Sequence, residues 1–155
     1  MVRYAEHMLK LGSLVLGLWS ALNLVPSAWI LVSVLVFGEN VPGLTSVLTE
    51  SQIQSLGDEE LAAANSIGVY ANGLSVAYCL LFAVAVWRGL LRRTKWVFWA
   101  LMASAVVALL GGVGADYVVG IRFPELNVIS GMILATGFAC CGSAIFRRGA
   151  EASER

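Results

Sequence analysis

Residues 11–37 read LGSLVLGLWSALNLVPSAWILVSVLVF, and no charged side chain interrupts them. A helix crosses the hydrocarbon of a bilayer with about 20 mostly apolar residues, and this run is longer than that. Three more runs repeat the pattern: Ala62–Trp87, Trp96–Ala115 and Leu126–Phe146, again without a charge. A barrel strand would alternate in polarity over about 10 residues, and none of these runs alternates. The expected fold is therefore all-α: one integral membrane domain over residues 1–155, built as a four-helix transmembrane bundle. The first run follows Arg3 and Lys10, as the core of a signal peptide would. Such a core is only about 7–15 residues long, so the run is read as an uncleaved span.

Composition agrees. The chain is 59% hydrophobic and 13% charged over 155 residues, whereas a soluble domain carries about 25% charged residues. In water this sequence would have to expose much of its apolar surface. A bilayer removes that conflict.

The charges sit between the runs and are sorted by sign. Arg3, His7 and Lys10 precede the first run, Arg88, Arg92, Arg93 and Lys95 separate the second from the third, and Arg147, Arg148 and Arg155 follow the fourth. Four spans put these three segments on one side. Lys and Arg close to span ends stay on the cytoplasmic side, so both termini are expected in the cytoplasm, in the inner membrane of a bacterium-like cell. The opposite connections carry Glu39, Glu50, Asp58, Glu59 and Glu60, then Asp116, Arg122 and Glu125. The net charge of zero hides this asymmetry and gives no reason to expect a nucleic-acid partner. The expected contacts are anionic lipid head groups at the basic loop, and a membrane-protein partner or a second copy of the chain. Trp87, Trp96 and Trp99 bracket the basic loop, while Tyr70, Tyr117 and Phe123 lie toward the acidic side, the placement of interfacial aromatic belts.

One extramembrane segment is long enough to fold. After Pro42 and Gly43, Thr49-Glu50-Ser51-Gln52 matches a capping box, and Leu48, Ile53 and Leu56 give a short interfacial helix an apolar side. Gly57 is placed to end it in the left-handed conformation. Asp58 resembles an N-cap for the second span, with Glu59 and Glu60 in its first turn. Such a helix covers the outer ends of the spans. A lid or a docking surface is the functional alternative.

Each span also carries small or weakly polar residues on one side. Ser13, Gly17, Ser20, Asn23 and Ser27 fall within about 120° on the first. Asn65, Gly68, Asn72, Ser75 and Cys79 share a side of the second, and Asn127, Ser130, Gly131, Gly137 and Cys141 a side of the fourth. Ala100, Ser104, Ala108 and Gly112 repeat every four residues on the third and form a candidate packing ridge. Lipid is as apolar as Leu, so helices in it associate through close packing of small residues and through hydrogen bonds. Pro26 removes a backbone donor from the first span and is expected to bend it. The more polar members, Asn23, Asn65, Asn72, Asp116, Tyr117, Arg122, Glu125 and Asn127, form a candidate polar cavity toward the acidic rim.

What is missing narrows the chemistry. His7 is the only histidine, which leaves no multi-His metal set or bis-His haem ligation within one chain. Cys79, Cys140 and Cys141 all lie in apolar runs and form no CxxC pair, unlike the exposed redox pairs of disulfide-forming enzymes. No ionised group sits at mid-membrane, where proton-coupled carriers place carboxylates. Gly111-Gly112-Val113-Gly114 is too short and too deep in an apolar run for a dinucleotide motif. No cofactor and no catalytic residue is therefore assigned. The leading expectation is a non-enzymatic interaction or accessory subunit. The alternatives are a carrier with an outward polar cavity, and an enzyme acting on lipid head groups with Asp116 or Glu125 as acid or base.

The topology has a direct test. In a chain lacking Cys79, Cys140 and Cys141, a cysteine at Ser51 should react with a membrane-impermeant maleimide applied outside intact cells. One at Arg92 should react only after permeabilisation.

Overall fold

The computed structural model describes residues 2–38, 49–119 and 124–153. Among them are helices and turns and no strand: α1 (Val2–Phe37), a short α2 (Glu50–Gln54), α3 (Asp58–Ala85) continued by a π-helical turn at Val86–Leu90, α4 (Lys95–Val119) and α5 (Pro124–Ser153). The fold is an all-α four-helix bundle. Four stretches are long and apolar enough to cross a membrane: Tyr4–Val36, Asp58–Leu90, Lys95–Gly114 and Glu125–Phe146. The chain is thus a small multi-pass membrane protein.

The helices outrun the apolar runs that announce them. α1 begins at Val2, since no Gly or Pro between Arg3 and Lys10 breaks the ladder. It also continues through Pro26. α4 passes Asp116 and reaches Val119. α5 starts at Pro124, whose fixed φ and missing N–H suit a first helical position, and Glu125 in that first turn complements the helix dipole.

The capping box at α2 is complete. The Gln52 amide N–H donates to the Thr49 hydroxyl at 3.4 Å, and the Thr49 amide N–H to Gln52 Oε1 at 2.9 Å. The C-terminal end differs from expectation. Ser55 closes it in right-handed geometry, its Oγ donating to the Gln52 carbonyl at 2.7 Å. Among the described residues only Gly38 and Arg93 have positive φ, so Gly57 is not a left-handed stop. Gly57 instead starts α3. Its carbonyl accepts from Leu61 at 2.9 Å, and its N–H donates to Glu60 Oε2 at 3.0 Å. That moves the N-cap one residue back from Asp58, to a residue type that position accepts. Pro42, Gly43 and Leu48 lie outside the described residues.

Two compact units make up the chain, residues 1–20 with 81–155, and residues 21–80. In the first, α1 meets α5 at a pair of glycines. A Cβ added to Gly12 would stand 2.6 Å from Cys141 Sγ and 2.7 Å from the Gly137 carbonyl oxygen; one added to Gly137 would stand 2.7 Å from Leu16 Cδ2. Neither position has room for a side chain. Leu16 and Cys141 are completely buried at this crossing. The Cys141 thiol lies 3.9 Å from Ser13 Oγ and donates to the Leu9 carbonyl at 3.9 Å. A milder close approach recurs between α4 and α5. Phe98 lies over Gly142, at 3.3 Å from where its Cβ would be, and makes edge-on contacts with Phe138 and Phe146 at 5.7 and 5.5 Å between ring centres. Trp19 and Phe82 meet as tilted rings, 5.2 Å between centres. In the second unit, α1 and α3 are joined by a hydrogen bond of 2.9 Å between the Ser27 and Ser75 hydroxyls.

Large apolar side chains face outward. Leu14, Leu18, Leu22, Val25, Trp29 and Val32 are exposed at helical spacing along α1. At most 33% of any span's most apolar stretch is buried. A soluble helix hides that stripe; here lipid solvates it.

The glycine crossing predicts an asymmetry. Gly137→Leu should destabilise the folded protein in detergent by about 1–3 kcal/mol, the usual cost of overpacking. Ala139→Leu, at an exposed position of the same turn, should leave the melting temperature nearly unchanged.

Candidate functional site

The rim residues singled out from the sequence fall into both units. In residues 21–80, Asn23, Asn65 and Asn72 are each partly buried. The Asn72 amide donates to the Gly68 carbonyl on its own helix at 2.8 Å. In the other unit, Asn127 is partly buried on α5 and its Oδ1 approaches Gly112 of α4, 2.9 Å from where a Cβ would sit. Gly112 thus leaves the room that the Asn127 amide takes. Tyr117 and Glu125 are exposed, Tyr117 to 81%, which is belt placement. The backbone of Asp116 continues α4, but its side chain lies outside the described residues, as does Arg122.

Elsewhere along the spans, hydroxyls turn back onto their own helices. Ser104 Oγ donates to the Leu101 carbonyl at 2.9 Å, Thr136 Oγ1 to Met132 at 2.8 Å, and Ser143 Oγ to Cys140 at 2.8 Å. A group bonded this way satisfies itself locally and needs no aqueous path. On α4 the face turned inward runs through Phe98, Leu101 and Ala105, all buried. Ala100 is exposed, and Ser104, Ala108 and Gly112 are partly buried beside that face. Cys79, Cys140 and Cys141 are buried thiols. Among the described residues no group of three or more His, Cys, Asp or Glu side chains is placed to hold a metal ion.

The basic end is built more closely than the sequence suggested. After the π-turn, the Arg93 amide donates to the Leu90 carbonyl at 2.8 Å and the Thr94 amide to the Gly89 carbonyl at 3.1 Å. These two bonds form a Schellman motif, and Arg93 holds its left-handed position with φ of 58°. Gly89 is required there, because a Cβ would overlap Val97 of α4. Thr94 then accepts the first α4 bond, from the Phe98 amide at 3.2 Å. Arg93 reaches Glu6 of α1 at 4.0 Å, and Lys95 Nζ stands 5.7 Å over the Phe146 ring of α5. These contacts bring the basic connection to the same end of its unit as the start of α1 and the later part of α5. An exposed pair like Glu6–Arg93 contributes about 0–1 kcal/mol, so it orients more than it stabilises.

Sequence reasoning missed three features here: the π-turn, the left-handed Arg93 and the role of Gly12. For Arg93 the usual signal, Gly or Asn, is absent. For Gly12 the signal was present one residue from Ser13, but the counted stripe passed beside it.

The Arg93 geometry can be tested without confusion from the ion pair. Arg93→Gly and Arg93→Ala both lose the contact with Glu6, yet the Gly variant should be the more stable by about 1 kcal/mol. Chemical denaturation in detergent would measure the difference, and equal stabilities would contradict the cap.

Comparison with models of known protein families, with curated proteins and with solved structures finds no match for this chain.

Proposed function

We propose that this small multi-pass membrane protein is a non-enzymatic interaction or accessory subunit of a membrane assembly, held in a bacterial inner membrane with both termini in the cytoplasm. The observation that carries this reading is the use made of the polar groups within the spans. Ser104, Thr136, Ser143 and Asn72 bond to their own helices, and Ser27 bonds to Ser75 on the neighbouring helix. Groups satisfied within their own helix, or across to the next one as in Ser27–Ser75, are not left to line a polar path.

The outward surface supports the same reading. Along α4, Ala100, Ala103, Gly111 and Gly114 are all exposed, and a Cβ added at either glycine would meet nothing within 4 Å. Small residues on a lipid-facing side let another helix approach closely. A partner span or a second copy of the chain would pack on that face.

Mild-detergent purification of tagged full-length chain should recover a complex of fixed stoichiometry. Ala103→Leu with Gly111→Leu should release the chain from it while leaving the isolated chain's melting temperature within about 1 kcal/mol equivalent of the unmodified protein. A chain that always runs alone, and that forms no cross-linked species in its native membrane, would exclude the subunit reading.

A further inference from the structure

The unit of residues 1–20 and 81–155 contains a half-open groove of about 400 Å³ between α1 and the last turns of the second span. Its volume lies in the range of small-ligand sites. Lys10, Leu14 and Gly17 line one wall; Ala83, Val86 and Trp87 line the other. The two walls differ in character along their length. From Lys10 past Ser13 to Gly17 the groove descends about 10 Å along α1 at 1.5 Å per residue, from a cation to largely apolar surface.

Two local features make the recess. Gly17 has no side chain, and a Cβ there would meet nothing within 4 Å. The π-helical turn begins at Val86 and carries Trp87 at the groove's edge, 74% exposed. π-turns interrupt the regular stacking of a helix face and recur where ligands bind. Glu6, one turn before Lys10 on α1, is engaged by Arg93 at 4.0 Å. Arg88, exposed, follows Trp87 directly.

We propose that this groove seats one anionic phospholipid, with its phosphate against Lys10 and an acyl chain along Leu14, Gly17, Ala83 and Val86. The argument is complementarity. A phospholipid has a negative group at the head-group level and a hydrocarbon chain directly below it. The groove has a cation at its mouth and apolar walls below, with an indole at the level where indoles prefer to lie. Basic pockets between spans recognise anionic head groups for the same reason. A zwitterionic lipid would fill the same walls, but its own ammonium would oppose Lys10. This goes beyond the subunit reading. It requires only that the basic end lie at the head-group level, and no partner protein takes part in its test, so each idea can fail without the other.

The test uses purified full-length chain in a neutral detergent, mixed with equal amounts of phosphatidylglycerol and phosphatidylcholine of identical chains. Native mass spectrometry reads which lipid is retained, and thermal melting reads stabilisation. One phosphatidylglycerol should be retained in clear preference, and it should raise the melting temperature more than phosphatidylcholine does. Lys10→Gln should lower that preference about fivefold, the weight of one basic residue at an anionic head group, and Lys10→Arg should keep it. Gly17→Leu should fill the recess and abolish retention of either lipid while the helical content stays unchanged. Lys95→Gln, which removes the cation over Phe146, should have no effect. Equal retention of the two lipids overturns the proposal. So does a loss with Lys95→Gln as large as that with Lys10→Gln, because attraction would then be diffuse. Lys10 is exposed, so its substitution tests the idea even if Gly17→Leu fails to fold.

Discussion

The contact of Gly12 with Gly137 is the constraint on which the surrounding packing depends. In lipid, burying a leucine between helices gains little over leaving it against acyl chains. Dispersion at close range is what remains, and it falls off steeply once a gap opens. Two glycines facing each other let α1 and α5 meet at backbone distance. Leu9 and Leu16 then close around the crossing, and Ser13 and Cys141 meet across it. An interhelical hydrogen bond such as Ser27–Ser75 contributes about 0.6 kcal/mol on average. Overpacking a helix contact costs about 1–3 kcal/mol. Steric fit therefore outweighs polar pairing in fixing this arrangement.

The four spans were legible because a bilayer asks a simple question of a sequence: whether a charge interrupts twenty residues. The capping box at Thr49 was legible too, since it depends on two side chains at fixed spacing. Helix ends were less so. Arg3 to Lys10 is polar but contains nothing that breaks a helix, so α1 continues into the head-group region and beyond. Gly57 met the compositional rule for a helix stop, yet Glu60 draws its N–H into the start of the next helix. The sequence could not mark Arg93 as left-handed, because the Schellman bonds and the fit of Gly89 against Val97 impose that conformation from outside the residue.

The rim residues show why polarity alone is a poor guide to a site. Asn127 turns toward the space left by Gly112, whereas Glu125, two residues earlier, is exposed. Asn72 bonds one turn back along its own helix. Ser, Thr and Asn in a span first meet the nearest carbonyl, which is usually on the same helix. A cavity would need several of them to forgo that bond together. The groove at Lys10 is defined differently, by a missing side chain at Gly17 and a shifted turn at Val86. Neither is a polar residue, so a search of the sequence for chemistry passes over both.

α1 has 36 residues, which corresponds to about 54 Å of helix. The hydrocarbon core is about 30 Å thick. By length alone, α1 is longer than that core and its polar first turns can extend past it. No loop separates the turn that carries Glu6 from the crossing at Gly12. A push or twist applied to those first turns is therefore transmitted as torque directly into the glycine contact. The first mechanically soft point lies beyond it, at Pro26, where a ladder bond is missing. The N-terminal turns and the glycine contact thus belong to one uninterrupted helix, so neither can turn about the axis without the other.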